Sequence, residues 1–539
     1  MRMIDCPAPP TAARAPLAAL LPLLAATLAL FLGSDVSVDY WWHLETGRRI
    51  LSGEGIPGPD PFLYTSRGAE WLDLHWLFQV VVAALHESVG FEAVVLFKAA
   101  LVFSAIALAL RVPGPARPSP GLAVLLSLLG IAVFTLRTGL RPEHVSYAIL
   151  AAEVVLLESA RYLPGRPLRL LGLPLLQLAW TNVQGIFVLG IALQAAYLGG
   201  EAAARVVARR RGPDAPPAYS PAALAMLGAA TALSIGAAFA NPYGARGALH
   251  PFELLTRLDP SSGLFQTISE LRPTLSFEFA PAATAAFVAL IAAGGAGAFL
   301  RPLWSPSLAL AGTGLAVLAA GAYRNAPLLP LVAIPLALHG LSPVLLRRAR
   351  TAAAGFAALL LAAIAADAAR PGVLFFPFLA VESPSLPSAP AGAEAKKAAD
   401  FLERTGFGSR LFSSSDDASF FAYRFRGEKR SFMDTRTEVV PEMVFGVYHA
   451  ILERPGEVFD AVAAKDGIDA VVVNMRRPKM ARLLHHLLGS KEYALAFAEE
   501  GEMVFIRRGA PNAETALAES LPPGAADEIR RRYPEPANR

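Results

Sequence analysis

The chain has 539 residues, 54% of them hydrophobic and only 17% charged, and its 48 basic and 44 acidic residues leave a net charge of +4. Soluble domains carry about 25% charged residues. The mean hydropathy of +0.44 and the repeated long apolar runs therefore exclude an ordinary soluble protein and predict a multi-pass membrane protein. The single cysteine, Cys6, excludes an internal disulfide and a thiolate metal cluster. No basic stripe with interleaved aromatic residues occurs, so no nucleic-acid partner is expected.

Apolar segments recur along the first two thirds of the chain and predict about eleven transmembrane helices. They lie at residues 15–33, 91–110, 121–136, 143–158, 168–180, 185–200, 221–240, 279–300, 306–322, 326–346 and 351–369. The first segment follows Arg2 and Arg14, so a cleaved signal peptide is an alternative to an uncleaved helix. We favour the uncleaved helix because the charges of the later loops then form a regular pattern.

Arginine residues are distributed unevenly between alternate loops. With the N-terminus in the cytoplasm, the predicted inside loops contain Arg111, Arg117, Arg161, Arg166, Arg169, Arg205, Arg209, Arg210, Arg211, Arg301, Arg347, Arg348 and Arg350. The short predicted outside loops contain Arg137, Arg141 and Arg324. This asymmetry predicts a cytoplasmic N-terminus and an extracytoplasmic location for everything after about residue 371.

Changes in composition predict the domain organisation. Residues 1–370 form a transmembrane domain whose first extracytoplasmic loop, 34–90, contains a stretch at 71–90 that is amphipathic enough to lie along the membrane interface. Residues 371–400 are predicted as a linker, 401–510 as an extracytoplasmic α/β domain and 511–539 as a polar tail.

The α/β prediction for the soluble part rests on alternating segment types. Strands are predicted within 409–425, 429–436, 468–475 and 493–509, and helices within 441–453 and 478–489. The acid–arginine pair of FMDTR (432–436) is explained as well by a strand-end salt bridge as by a site, and SSSDD (413–417) is predicted to cap a helix.

This topology places a set of polar residues at the outside helix ends, where membrane insertion alone does not explain them. They lie in VDYWWHLE (38–45), RTGLRPEHVSY (137–147), WTNVQG (180–185), ANPYGARG (240–247) and YRNAP (323–327). Polar and ionisable groups at membrane depth are costly and tend to mark function. The inside ends carry mostly arginine, so we predict one shared site near the outer membrane surface.

Several of these residues also have an ordinary structural explanation. Trp41 and Trp42 suit an interfacial aromatic belt, Asn241 suits a turn, and Glu143 suits the N-terminal dipole of a helix. Asp39 is harder to explain in this way, because an acid beside two tryptophans costs free energy unless a partner binds it.

The quoted motifs, together with the DPF of residues 60–62 and FMDTR, resemble a bacterial group of uncharacterised membrane proteins of the GT-C glycosyltransferase type. Three positions depart from that group's pattern. Ser37 stands where the group often has a second acid, Gln184 where histidine is more usual, and SDDASFF (415–421) lacks a glycine pair. The resemblance implies a polytopic α-helical membrane protein with a small C-terminal α/β extracytoplasmic domain, located in a bacterial cytoplasmic membrane.

The resemblance further implies transfer of a sugar from a polyprenyl-phosphate carrier to a glycan, lipid or protein acceptor at the extracytoplasmic face, with inversion of the anomeric centre. It suggests Asp39 as the catalytic base. The residues expected to bind substrate are Trp41, Trp42, His43, Glu45, Arg141, His144, Asn182, Asn241, Arg324 and Asn325. Of these, Arg141 and Arg324 suit the phosphate, because guanidinium presents a bidentate fork to phosphoryl oxygens.

The sequence identifies no certain cofactor; a divalent metal held by Asp39 and Glu45 is possible, but two acids make a weak ligand set. Two other classes of function stay open. A transporter of a lipid-linked substrate should place ionisable residues near the bilayer midplane, where the sequence shows no charge pair. A non-catalytic scaffold protein of the envelope should disperse its polar residues around the outer rim.

Overall fold

A computed structural model of the chain describes residues 20–32, 37–66, 68–162, 165–211, 218–257, 269–276, 280–300, 305–347, 394–511, 513–518, 521 and 524–536. In chain order, the helices of this part are α1 (Leu20–Phe31), α2 (Tyr40–Leu51), α3 (Trp76–Ser88), α4 (Phe91–Arg111), α5 (Pro120–Phe134), α6 (Glu143–Tyr162), α7 (Gly172–Thr181), α8 (Val188–Arg211), α9 (Pro221–Ala237), α10 (Ala245–Arg257), α11 (Pro281–Leu300), α12 (Pro306–Gly321), α13 (Leu328–Arg347), α14 (Lys396–Thr405), α15 (Ser415–Arg424), α16 (Glu442–Glu453), α17 (Pro455–Asp466), α18 (Ala481–Leu488), α19 (Ala513–Ala518) and α20 (Ala525–Arg532).

The chain divides into two compact units. The first consists of Met1–Asp35 and Val89–Ala389, and the second of Val36–Ser88 and Pro390–Arg539. The first-loop segment 36–88 thus groups with the C-terminal residues, a division that the sequence analysis did not suggest. The predicted boundaries near residues 370, 400 and 510 stay predictions.

The first unit is helical and has the composition of a membrane protein. Five of its described helical stretches are long and apolar enough to cross a membrane: Phe91–Arg111, Pro120–Arg137, Gly185–Val206, Ala282–Leu300 and Leu328–Leu345. The apolar helices Pro221–Ala237 and Pro306–Gly321 are shorter. The predicted number of about eleven spans is not confirmed, and the candidate span at 351–369 lies outside the described residues.

Local sequence signals explain where these helices begin and how closely they pack. Ser220 and Ser305 each precede a proline, and each hydroxyl accepts a hydrogen bond from a backbone N–H in the first turn of the following helix. Helices α11 and α13 approach closely at two glycines, because a methyl group on Gly340 would lie 2.3 Å from the Cα of Gly297. Small residues commonly allow such close contact between membrane helices.

The second unit contains a five-stranded mixed sheet. Its strands are β1 (Arg410–Phe412), β2 (Arg430–Ser431), β3 (Ala470–Asn474), β4 (Tyr493–Glu499) and β5 (Glu502–Arg507), in the order β2-β1-β3-β5-β4. Strand β1 is parallel to both β2 and β3, whereas β5 is antiparallel to β3 and β4. The first-loop segment continues the sheet beyond β2, because the Ser431 N–H donates to the carbonyl of Phe62 (3.0 Å) and the Ser431 carbonyl accepts from Tyr64 N (3.2 Å).

Most of the predicted soluble elements are confirmed. The strands within 468–475 and 493–509 and the helices within 441–453 and 478–489 are present. The strand prediction for 409–425 is wrong beyond Phe412, since Ser415–Arg424 is helical. Ser414 accepts a hydrogen bond from Asp417 N at 3.0 Å and so caps this helix, as SSSDD predicts. Helices α14 and α17 were not predicted.

Candidate functional site

The DPF and FMDTR motifs meet at a fully buried arginine in the second unit. The Arg436 Nη2 lies 2.8 Å from Asp60 Oδ1 and 2.6 Å from Asp434 Oδ2, and all three side chains are at most 1% exposed. Burial lowers the pKa of Arg436, but the two carboxylates outweigh it and raise this pKa overall. Two acids around one guanidinium make a closed ion cluster, which we call the Arg436 cluster.

Aromatic rings cover the same guanidinium. Its carbon atom lies 4.5 Å from the ring centre of Trp71, 4.9 Å from that of Phe62 and 5.8 Å from that of Trp42. These distances suit cation–π attraction. The first-loop motifs and FMDTR therefore share one packed cluster.

Asp39 is held beside the Arg436 cluster. Its Oδ1 accepts hydrogen bonds from Thr435 Oγ1 (2.5 Å) and Trp42 Nε1 (3.3 Å), and its Oδ2 accepts one from Ser37 Oγ (3.1 Å). Ser419 Oγ lies 3.2 Å from Thr435 Oγ1. These hydrogen bonds provide the partners that offset the cost of placing an acid beside two tryptophans. Thr435 was missed as a site residue, although it lies inside FMDTR.

The carboxyl ends of the three parallel strands lie on one edge of the sheet, which is where α/β domains commonly bind ligands. Following β1, Asp416 pairs with Arg477 at 3.1 Å, and Asp417 accepts from Asn474 Nδ2 at 3.2 Å. Burial raises the pKa of Asp417 to about 6. The pKa of Asp416 is raised by burial and, to a smaller extent, by the nearby charge of Asp39.

The remaining predicted residues of α2 are buried by protein. Trp41 and Trp42 are 6% and 4% exposed, so neither belongs to a membrane-interface belt and little of either ring is left for a sugar. Trp41 Nε1 donates to Glu394 Oε1 (2.9 Å), and His43 Nδ1 lies 3.4 Å from Gln79 Nε2. These contacts position α2 within the second unit.

Glu45 is occupied within its own helix. Its carboxylate pairs with Arg48 and, at 3.0 Å, with Arg49, while burial raises its pKa. A carboxylate neutralised by two guanidinium groups is a poor metal ligand. In the part of the chain that the structure describes, no group of three or more histidine, cysteine, aspartate or glutamate side chains could hold a metal ion.

A second polar cluster lies in the first unit, at the start of α6. Arg137 bridges Glu143 (3.1 Å) and Glu270 (2.8 Å), and Arg141 Nη2 lies 2.8 Å from the same Glu270 oxygen. Arg324 is near enough to act electrostatically on Glu143. We call this group, Arg137, Arg141 and Arg324 with Glu143 and Glu270, the outer arginine cluster, after the side of the membrane on which the sequence predicts it; among the described residues it has three cations and two acids. The sequence analysis missed Glu270, which no motif marks.

His144 and Tyr147 attach this cluster to its surroundings. The His144 Nε2 lies 3.1 Å from the Arg137 carbonyl oxygen, and its Nδ1 lies 3.2 Å from that of Arg141. The Tyr147 hydroxyl donates to the Arg324 carbonyl at 3.1 Å. Two of the predicted motifs, RPEHVSY and RNAP, are therefore neighbours in space.

The predicted amide residues of the first unit have structural partners. Asn182 Nδ2 donates to the carbonyls of Leu178 and Ala240, each at 2.9 Å. Asn241 Oδ1 accepts from Tyr243 N at 2.8 Å, which supports the turn explanation. Asn325 Nδ2 lies 3.3 Å from the Leu318 carbonyl. Their predicted contacts with a sugar stay predictions.

The far end of α6 carries a buried ion network that the sequence analysis did not expect. Arg161, predicted to lie in an inside loop, is buried and pairs with Glu158 (3.3 Å) and with Glu201. Ser307 Oγ donates to Glu201 at 2.6 Å and Tyr197 to Glu158 at 2.7 Å. Glu158 and Glu201 were not among the predicted site residues, and both are held by partners within the protein.

The structure thus brings the predicted residues together in two sets, one in each unit. Asp39, Trp41, Trp42, His43 and Glu45 belong to the second unit, whereas Arg141, His144, Asn182, Asn241, Arg324 and Asn325 belong to the first. A single site formed by both sets stays a prediction.

No protein-family model matches the chain, and no curated protein matches it. Three solved structures of an oligosaccharyltransferase from Archaeoglobus fulgidus are similar. The enzyme tethered by a disulfide bond to an acceptor peptide with the NVT sequon is 13% identical, with a TM-score of 0.52 over 87% of this chain and 70% of that one. AglB in complex with an inhibitory peptide and a dolichol-phosphate is 13% identical, with a TM-score of 0.55 over 92% and 74%. The complex with zinc and sulfate is 12% identical, with a TM-score of 0.50 over 91% and 72%. This chain therefore has a GT-C-like fold, which is the architecture that the sequence resemblance implies.

Proposed function

We propose that this protein is a membrane-embedded glycosyltransferase that moves a sugar from a polyprenyl-phosphate carrier to an acceptor. Two observations outside the chain's own site support the proposal: the GT-C-like fold, and the acceptor peptide and dolichol-phosphate bound to oligosaccharyltransferases of that fold. The observation that carries it is Asp39, a carboxylate that Thr435 and Trp42 hold in place by hydrogen bonds.

In this mechanism, Asp39 takes the proton of the acceptor hydroxyl group. The acceptor oxygen forms a bond to the anomeric carbon of the sugar, and the bond from that carbon to the phosphate oxygen breaks. The polyprenyl phosphate leaves with the bonding electrons, so negative charge develops on its oxygen. Attack from the side opposite the leaving group inverts the anomeric configuration.

The outer arginine cluster is the proposed binding site for the phosphate. Among the described residues, this cluster contains three guanidinium groups and two carboxylates, and neither carboxylate lies within ion-pair distance of Arg324. Arg141 is 22% exposed at its side chain and could exchange Glu270 for a phosphoryl oxygen. Positively charged donors near a departing phosphate stabilise its charge in the transition state.

The proposed location is the bacterial cytoplasmic membrane, with the N-terminus inside and the second unit outside. The arginine asymmetry of the loops supports this orientation. It requires the donor and the acceptor to meet at the extracytoplasmic face.

Transport of a lipid-linked substrate is the second candidate function. The buried Glu158–Arg161–Glu201 network favours it, because ionisable groups inside membrane helices often line a substrate or ion path. We rank it below the transferase because every carboxylate of that network has a protein partner.

The deciding experiment measures release of polyprenyl phosphate from a polyprenyl-phosphate sugar by the purified full-length protein. We expect Asp39→Asn to lower the rate by roughly 100-fold or more, as loss of a general base does. Asp400→Asn is the matched control, since Asp400 is an exposed partner of Arg424 in the same unit, and its rate should equal that of the unsubstituted protein. Equal rates for both variants would remove Asp39 from the mechanism.

A further inference from the structure

Three fully buried polar side chains meet between helices α6, α7 and α8. They are Glu153, Gln177 and Gln194, and each is 0% exposed. Gln194 Nε2 donates to Glu153 Oε1 at 3.2 Å. None of these residues belongs to a motif discussed above, and none is used in the proposed transfer reaction, so they need a separate explanation.

The three side chains leave three acceptor oxygens unsatisfied. Glu153 Oε2, Gln177 Oε1 and Gln194 Oε1 have no hydrogen-bond partner in the described part of the chain. Two of the residues border the same glycine, since a methyl group on Gly190 would lie 2.8 Å from Gln177 Oε1 and 3.1 Å from Glu153 Oε1. Buried polar atoms without hydrogen-bond partners are rare. All three unsatisfied atoms are acceptors, so the group that this cluster lacks is a hydrogen-bond donor.

No basic side chain of the described residues lies within ion-pair distance of Glu153. Within the described residues, the buried acidic, basic or histidine side chains on helices packed against α6 are Lys98 on α4, Glu201 on α8 and His339 on α13. None of them is within ion-pair distance of Glu153. An isolated carboxylate in a low-dielectric interior costs far more than a neutral carboxylic acid.

We propose that Glu153 is a proton-binding site inside the membrane helices and carries its proton at neutral pH. The proton comes from water and binds Oε2, and the resulting O–H donates to the amide oxygen of Gln177 or Gln194. One proton thus removes the buried charge and gives hydrogen-bond partners to two of the three unsatisfied oxygens. Glu158, five residues along the same helix, differs from Glu153 because Arg161 lies within ion-pair distance of it, at 3.3 Å.

Infrared spectroscopy of the full-length protein in lipid nanodiscs tests this directly. We expect the carbonyl band of a protonated carboxylic acid at neutral pH, lost in Glu153→Gln, shifted in Glu153→Asp and kept in Glu158→Gln. A spectrum in which Glu153→Gln removes no such band would overturn the proposal. The Glu153→Asp variant keeps the test valid if glutamine disturbs folding.

Thermal unfolding provides a second readout. Glutamine imitates a neutral acid, so Glu153→Gln should leave the Tm within about 2 °C of the unsubstituted protein. Glu158→Gln should lower the Tm clearly more, because it removes a carboxylate from Arg161. Two results would contradict the proposal: a large loss of Tm in Glu153→Gln, or a Tm of the unsubstituted protein that rises with sodium or potassium at constant ionic strength. The latter would make Glu153 an ionised ligand of a monovalent cation.

Discussion

The Arg436 cluster and the outer arginine cluster both join arginines to acids, but they differ in balance and in exposure. Arg436 has two carboxylate partners, three aromatic rings around it and a fully buried side chain. The outer cluster has three arginines for two acids, and the side chains of Arg141 and Glu270 are each 22% exposed. Protein encloses the Arg436 cluster completely, whereas Arg141 of the outer arginine cluster is exposed enough for an anion to reach it.

The difference separates two roles that look alike in sequence. A buried arginine with two carboxylate partners stabilises the packing around it. Removing it leaves two buried carboxylates without a cation. A partly exposed arginine in a cationic group loses little structure when removed, and it can bind a charged ligand bidentately. Five substitutions, in four experiments, test and sharpen this contrast, and we give them in order of expected effect.

The largest effect is expected for Arg436→Ala. The substitution leaves Asp60 and Asp434 buried without their cation, which should destabilise the second unit by about 3–5 kcal/mol. Urea unfolding of the full-length protein in detergent, followed by tryptophan fluorescence, measures this. Arg424→Ala is the control, since Arg424 pairs with exposed acids and should change the midpoint little. Similar midpoints for the two variants would show that the Arg436 cluster is not structural.

Removing cations from the outer cluster should affect binding rather than folding. We expect Arg324→Ala and Arg141→Ala each to weaken the binding of a polyprenyl-phosphate sugar by roughly 10- to 100-fold, the cost of a lost charged hydrogen bond. Arg324→Ala should have the larger effect, because Arg141 already pairs with Glu270. Donor affinity and Tm are measured on the same samples. Unchanged affinity in both variants would contradict the phosphate assignment.

Stability of the second unit should depend on pH through Asp417. Burial raises the pKa of this group from 3.8 to about 6 in the folded protein, so the folded state binds more protons than the unfolded state between pH about 4 and 6. Stability should therefore fall as pH rises through that range, by on the order of 2 kcal/mol. Asp417→Asn should flatten this part of the pH profile of urea unfolding. A profile identical to that of the unsubstituted protein would exclude Asp417 as the source.

The smallest effect is expected for Thr435→Val, which removes the hydroxyl that donates to Asp39. Because this hydrogen bond favours the ionised carboxylate, its loss should lower donor turnover about 5- to 10-fold and move the acidic limb of the rate profile to higher pH. Thr435→Ser should restore both. An unchanged pH profile in Thr435→Val would limit Thr435 to packing.

Sequence reasoning succeeded where local patterns determine structure. The helix of residues 442–453 and the β-hairpin of 493–507 follow from short-range periodicity. The strand prediction failed at 413–424, because aromatic residues suggested a strand while Ser414 and two aspartates specified a helix start.

The site was predictable in its residue types but not in its partners. Asp39 stands out from its sequence neighbours, whereas its contact with Thr435 spans almost 400 positions, and no local pattern carries such information. Glu270 and Glu153 were missed for a related reason, since an isolated acid gains meaning only from the groups that surround it in space. The arginine count placed Arg161 in a loop, whereas it lies in α6, because a charge count cannot distinguish a buried ion pair from a solvated helix end.

The central claim is transfer of a sugar from a polyprenyl phosphate with inversion at the anomeric carbon. Nuclear magnetic resonance of the product formed by the purified full-length protein from a polyprenyl-phosphate sugar of known configuration tests it most directly. The account predicts turnover and the opposite anomeric configuration in the product. Retention of configuration, or no turnover with any lipid-linked sugar supplied together with a membrane extract as the acceptor source, would contradict it.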